Sequence, residues 1–355
     1  MSFYHRTFSI KARALLTMGL VCCSIAFSQD APSPPTVVQP SAQAPGQPKR
    51  VRPPHIARPG VATPGVSRPM SDISTTAIIP LEGSPDWAVV TKDSVWITSA
   101  RVNHVVQIVA ATNKTGVIVD VQRPCSGLAD GFGSIWVPSC SKHSVVRVNP
   151  TTGKTQAEIT ADPANSEGGI TVGAGSVWIV TKPSTLVRIN PETNAIVKSI
   201  QLPIGSENPL FSEGFVWVSS TNEPGALLKV DPKTNAIVAS IPVGPKPRFL
   251  TASLGSIWTL NQGDGTVSRV DIKSGTMVAS IPCGIPGPGG EITYGAGSIW
   301  PTNNDFPITQ IDIASNKVVK QWGGPGGDGI KFGFGAIWLS NGQLQTVWRT
   351  SPDQK

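Results

Sequence analysis

Residues 244–283 read GPKPRFLTASLGSIWTLNQGDGTVSRVDIKSGTMVASIPC. Four short runs rich in β-branched and apolar residues lie in this stretch: Phe249–Ala252, Ser256–Leu260, Val267–Asp271 and Met277–Ile281. Between them stand Leu254-Gly255, Gly263-Asp264-Gly265 and Lys273-Ser274-Gly275, residue types that supply turn conformations. Short strands bounded by such turns predict antiparallel sheet. The stretch is one copy of a repeat. A tryptophan at the same point of the pattern recurs as Trp96, Trp136, Trp178, Trp217, Trp258, Trp300 and Trp338, at intervals of 40, 42, 39, 41, 42 and 38 residues. Four strands per ~40 residues, repeated radially, define a β-propeller blade. The chain is therefore predicted to be all-β, a seven-bladed β-propeller with four antiparallel strands per blade.

The third turn of each unit is the most regular. It reads Asn149-Pro-Thr-Thr-Gly153, Asn190-Pro-Glu-Thr-Asn194, Asp231-Pro-Lys-Thr-Asn235, Asp271-Ile-Lys-Ser-Gly275 and Asp312-Ile-Ala-Ser-Asn316. The opening acid or amide bonds nearby backbone amides, and the closing Gly or Asn takes a left-handed conformation. The tryptophans are assigned to packing between blades, each burying ~150–250 Å².

The last unit runs from Pro325 to near Arg349 and supplies only three strands. Residues 76–83, TAIIPLEG, resemble the fourth strands VASIPVG (238–244) and VASIPCG (278–284). Ala77–Leu81 is therefore predicted to cross over and complete the seventh blade, which leaves no open sheet edge in the ring.

The N-terminus reads differently. Residues 1–28 carry Arg6, Lys11 and Arg13, an apolar run from Ala14 to Ala26, and small residues before a cleavage point, the pattern of an export signal. The apolar run is about half the ~20 residues a spanning helix needs, though an uncleaved anchor is the competing reading. Residues 29–71 are Pro-rich and basic, predicted to be a disordered tether, with 72–355 the propeller. Residues 1–71 hold eight Lys and Arg and one acid; residues 72–355 hold 21 of each. The chain's net charge of +7 thus belongs to the leader and tether. The propeller is no basic platform for nucleic acid. The tether is a solubilising spacer or a contact for a polyanion, anionic lipid or wall. A secreted or periplasmic monomer follows, with no transmembrane segment once the signal is removed.

Of the five cysteines, Cys22 and Cys23 fall in the signal. Cys125 and Cys140 flank a hairpin turning at Gly131-Phe132-Gly133; counting back from that turn puts them opposite each other on adjacent antiparallel strands, and they are the candidate disulfide, export permitting it. Cys283 is left as a buried structural thiol.

The repeat resembles the YVTN-type seven-bladed propellers and their streptogramin (virginiamycin B) lyase-like relatives, over roughly residues 76–350; the carrying residues are units such as IWTLNQGDGTVSRVDIKSGTMVASIPCG. The resemblance implies the propeller fold and, for lyase members, a histidine acid/base with metal-holding acids at the channel mouth. This chain departs there. Its propeller region has only His104 and His143, both after second strands and away from the starts of first strands. The position three after each tryptophan is Ser, Thr or Asn, never the Glu one lyase unit shows. No catalytic residue is carried over.

In a propeller the loops joining fourth to first and second to third strands gather on one face around the channel. Aligning the units on their tryptophans places Asp86, Trp87, Glu167, Glu207, Asn208, Arg248, Glu291 and Asp328 at the candidate channel-mouth ligand site. Second-to-third loops add Arg101, Lys142, Asn222, Asn261, Asn303, Asn304 and Asn341. Such a mouth suits a small molecule or a protein partner, and its carboxylates could hold a divalent cation such as Mg²⁺ or Ca²⁺. The polarity has a plain alternative, that loop residues are polar because they are wet. The sequence thus points to an exported binding module without catalysis. The alternative is a metal-assisted carbon–oxygen lyase of the virginiamycin B type or a related small-molecule hydrolase.

Overall fold

The computed structural model describes residues 58–353. The predicted signal (1–28) and the tether as far as residue 57 lie outside the described residues. Seven sheets form the ring: blade 1 (85–120), blade 2 (129–160), blade 3 (170–201), blade 4 (206–242), blade 5 (247–282), blade 6 (292–323) and blade 7 (329–350). In blade 5 the strands are Pro247–Ser253, Ser256–Asn261, Thr266–Asp271 and Thr276–Pro282, paired in that order and antiparallel. No helix among the described residues is long and apolar enough to cross a membrane.

Blade 7 is completed from the other end of the chain. Thr75–Pro80 pairs antiparallel with Thr346–Thr350, Ile79 opposite Val347. Bonds from Leu81 N–H to Gln345 O (2.9 Å) and from Ser351 N–H to Ser74 O (3.1 Å) bracket the pairing. Ile79 and Leu81 are buried with Val95, Ile97 and Trp338, so this strand joins a core shared by blades 7 and 1.

The seven repeat tryptophans are at most 1% exposed. Each packs against the following blade; Trp96, for example, sits with Leu128, Ile135 and Val137 of blade 2. A cation from the third strand covers five of them. Arg147, Arg188, Arg269 and Arg349 lie 4.9–5.1 Å from the centroids of Trp136, Trp178, Trp258 and Trp338, and Lys229 lies 5.1 Å from that of Trp217. The arginines also reach onward. Arg188 donates to Pro232 O (2.9 Å) and Asn235 Oδ1 (3.2 Å) of the next blade's third turn, and Arg269 donates to Ile313 O and Asn316 Oδ1 (both 3.0 Å). The planar fork stacks on one blade and bonds to its neighbour, a geometry lysine cannot reproduce.

The boundary at residue 72 moves. Residues 58–71, expected in the tether, pack on blade 6. Ser67–Pro69 adds a parallel strand beside Lys317–Gly323. Val66, Met70 and Ile73 are buried, the last two among Trp300, Ile308 and Trp322. Arg58 pairs with Asp305 at 3.1 Å, and Gly60 N–H donates to Gly284 O at 2.9 Å. The physical reason lies in blade 6. Where other fourth strands carry Ser240-Ile241 or Ser280-Ile281, blade 6 carries Gln321-Trp322. Gln321 Oε1 accepts from Val61 N–H (2.8 Å), and the larger Trp322 finds its cover in Met70 and Ile73.

The sulfurs of Cys125 and Cys140 are bonded, with Cα atoms 6.0 Å apart. Pro124 pairs with Ser139 whereas Ala129 pairs with Trp136, so the register shifts between the cysteines and the hairpin turn. The two residues are consequently diagonal neighbours and not directly opposed. Cys283 is buried, its thiol pushed up by that burial.

Candidate functional site

The first strands line the channel, and residues at their starts form its mouth. Buried hydroxyls of second strands fix the backbone there. Thr98 Oγ1 accepts from Trp87 N–H (3.0 Å), Ser219 Oγ from Asn208 N–H (3.3 Å) and Thr302 Oγ1 from Glu291 N–H (2.8 Å). The same hydroxyls donate to the next blade: Ser219 to Arg248 O (2.8 Å) and Thr302 to Asp328 O (2.5 Å), while Ser340 donates to Asp86 O. Trp87, Asn208 and Glu291 are thus held by their own blade, and Asp86, Arg248 and Asp328 by the preceding one. Gly290 has φ +97°, and a Cβ on it would stand 2.2 Å from Thr302 O, so only glycine lets Glu291 take its place.

Five acids converge. Burial pushes the Asp86 carboxyl well above its usual range, and the charges of Asp328, Glu167 and Glu291 push it further. Glu167 is raised by burial and by Asp328, with Arg248 opposing. Glu291 is raised by burial in spite of Lys331 beside it. Asp86 and Glu167 nonetheless keep part of their surface exposed.

Two of the five are neutralised. Glu207 Oε2 lies 2.7 Å from Arg248 Nη1, a charge contact whose alignment leaves both Glu207 Oε2 and Arg248 Nε without a hydrogen bond. Glu291 takes Lys331 Nζ and Ile330 N–H (2.7 Å). Among the described residues, Asp328 Oδ2 accepts from Gly290 N–H (3.2 Å) and Asn304 Nδ2 (3.3 Å) alone. Asp86 and Glu167 have no side-chain hydrogen bond or ion pair among the described residues. Three carboxyls therefore share the mouth without a cation of their own.

Of the remaining sequence candidates, Asn208 is buried and donates to Glu167 O (3.0 Å), a positioning contact. Trp87 reaches from blade 1 across the channel to Phe249 of blade 5, ring centroids 5.7 Å apart, so two aromatic rings stop the bore. A cavity of about 340 Å³ lies along this channel, bounded by Trp87, Asn208, Phe249, Glu291 and Lys331 among others. Lys331 was missed in the sequence. It follows a first-strand start on blade 7, and its partner Glu291 is 40 residues away, one blade back.

Several loop residues do not join the mouth. Asn261, Asn303 and Asn341 are buried. The latter two organise their own turns, accepting from Phe306 N–H (2.8 Å) and Leu344 N–H (3.0 Å). The histidines also stand apart. His104 Nε2 lies 3.2 Å from Asp120, and His143 Nδ1 lies 2.8 Å from Asp162, which also receives Lys182. Asp120 ends the outer strand of blade 1, and Asp162 follows that of blade 2. Among the described residues, no three His, Cys, Asp or Glu side chains are arranged to hold a metal ion.

Fold and site define a seven-bladed β-propeller with an acidic, aromatic-stoppered channel mouth. The chain matches no family model and no curated protein. Among solved structures it is similar to a streptogramin B lyase, with TM-score 0.62 and 18% identity over 79% of this chain and 96% of that one. It is also similar to a Kuenenia stuttgartiensis hydrazine synthase, with TM-score 0.64 and 13% identity over 79% and 99%. At these identities the likeness is one of fold.

Proposed function

We propose that this is an exported propeller that binds a small organic cation at the channel mouth without transforming it. One observation carries the reading: Asp86, Glu167 and Asp328 crowd together with no counter-ion of their own, while Arg248 and Lys331 are committed to Glu207 and Glu291. Asp86 and Glu167, raised first by burial and then by the neighbouring acids, gain from an arriving positive charge. An organic cation suits the site better than Mg²⁺ or Ca²⁺, because no ligand set for a metal is assembled there. Trp87 and Phe249 supply an apolar floor for a carbon skeleton. The Cys125–Cys140 bond supports an oxidising compartment, in keeping with the export signal read in residues 1–28.

The second reading, a carbon–oxygen lyase or related hydrolase, is favoured by one feature. Asp86, held high, keeps a proton that a general acid could deliver. Against it, each histidine is engaged with an acid outside the mouth. Thermal shift of the full chain with 1,4-diaminobutane, its neutral isostere 1,4-butanediol, and Mg²⁺ or Ca²⁺ separates these readings. Binding proportionate to ~100 Kd of diamine adds about 2.7 kcal/mol, which the diol does not. Equal response to diol and diamine overturns the cation reading. Ring-opening of a macrolactone probe, lost in Asp86→Asn, establishes the second reading, with an alkene product marking the lyase and a hydroxy acid the hydrolase.

A further inference from the structure

The seam between blades 1 and 2 breaks the repeat at three linked points. First, the third strand of blade 1 carries Gln107 where other blades place Arg147, Arg188, Lys229, Arg269 or Arg349. The Gln107 amide donates to Ser94 Oγ (2.8 Å) and accepts from Val117 N–H (3.1 Å), and among the described residues it makes no bond to blade 2. Blade 2 matches this loss, with Gly153 where the stapled turns carry an Asn side chain.

Second, the hairpin between the first two strands differs. In the other six blades its two central residues have positive φ, as at Phe132 (+55°) and Gly133 (+67°). Blade 1 has Lys92-Asp93 there, and neither takes positive φ. The six other tryptophans donate their indole N–H to the residue five places earlier, as Trp178 does to Gly173 O (3.0 Å). Trp96 does not. Its Nε1 is buried without a partner on a fully buried side chain.

Third, Asp130 replaces an apolar residue; the same place holds Val90, Val172, Phe211, Ala252, Tyr294 and Phe332 elsewhere. Burial and then Asp93 raise its carboxyl above the ordinary range. A cavity of about 360 Å³ opens at this seam, bounded by Trp96, Gln107, Asp93, Asp130, Pro150 and Thr151, with exposed Lys92 on its rim. Blade 6 is the internal control. It too has glutamine, Gln310, but Trp300 N–H bonds Gly295 O (2.9 Å), and Gly297 and Phe332 stand where the two acids would be.

We propose that the seam between blades 1 and 2 is a socket for a guanidinium group brought by another molecule, an arginine side chain of a protein or peptide partner. The chain's own arginines show what fits. The incoming fork displaces the Gln107 side chain to stack on the otherwise covered Trp96, meets Pro150 O as Arg188 meets Pro232 O, and is charge-matched by Asp93 and Asp130. The idle indole N–H remains for a carbonyl of the arriving segment.

The test is calorimetry on the full chain with acetyl-Gly-Arg-Gly-amide. Saturable binding is expected, about tenfold weaker for the lysine tripeptide. Gln107→Arg, which fills the socket with the repeat's own side chain, abolishes it at an unchanged or higher melting midpoint. Asp130→Val, which restores the repeat's apolar residue, weakens it about tenfold. The proposal is overturned by no saturable binding at millimolar peptide, by equal binding of the lysine peptide, or by undiminished binding in either variant. Acetyl-arginine-amide binding as tightly as the tripeptide overturns the assignment to a peptide segment in favour of a free guanidinium compound.

Discussion

Truncating Ile79 to alanine tests whether the ring is held shut by the strand Thr75–Pro80. Ile79 is 5% exposed and packs with Leu81, Val95, Ile97 and Trp338, so its side chain bridges the last and first blades. Removing a buried isoleucine to alanine costs about 2–4 kcal/mol, the transfer of the lost carbons plus the cavity they leave. For a domain of this size each kcal/mol moves the midpoint by roughly 2 °C, so a loss of about 4–8 °C is expected. Ile78 provides the control. It lies on the same strand, pairs with Trp348, and is 58% exposed. Ile78→Ala should stay within about 0.5 kcal/mol. Calorimetric melting and denaturant midpoints of both variants read the difference. Equal destabilisation of the two, or an Ile79→Ala midpoint within experimental scatter of wild type, would refute closure through this strand.

Three further outcomes follow from the packing and electrostatics. Arg188→Ala should cost about 2 kcal/mol in chemical denaturation, through the lost stack on Trp178 and the bonds to Pro232 and Asn235, and Arg188→Lys should recover only part of it. Replacing both Cys125 and Cys140 by serine should cost about 3 kcal/mol, from a bridge across 15 residues, and should make the midpoint insensitive to reductant. Asp86 holds its proton more tightly folded than unfolded, so its contribution to stability is fullest below about pH 4 and is lost as pH rises through the raised folded value. Asp86→Asn should therefore match wild type near that acid limit and exceed it in melting midpoint at pH 7; a variant less stable at pH 7 contradicts the crowding of carboxyls.

The architecture was legible because it is periodic. One tryptophan per unit and a fixed third turn repeat often enough to be read without coordinates, and the displaced fourth strand was read by its likeness to the repeated ones. The terms that escaped couple one blade to the next. Arg188 in blade 3 acts on Asn235 in blade 4, and Glu291 in blade 6 meets Lys331 in blade 7, partners about 40 residues apart with no local signature. The packing of residues 58–71 escaped for a different reason. Proline-rich composition speaks for an extended chain, and extended chain is also what adds to a sheet edge. The trace was Gln321-Trp322 in place of Ser-Ile, a polar group and an oversized ring on an outer strand. At the mouth, alignment on the tryptophans gathered Asp86, Glu167, Glu291 and Asp328, since equivalent positions of a ring face one axis. Which acids are neutralised was not legible, because that depends on side-chain reach. Departures from the repeat, such as Asp93, Gln107 and Asp130, carry information only once the repeat's own contacts are known.

The most direct measurement of the binding account is proton release when a cation enters the mouth. Titrating 1,4-diaminobutane into the full chain at about pH 5.5, in two buffers of different ionisation enthalpy, gives the protons exchanged per ligand bound. A cation lowers the raised values of Asp86 and Glu167, so the account predicts saturable binding with net proton release, diminished in Asp86→Asn. Binding with no proton exchange, or release unchanged in that variant, would contradict it.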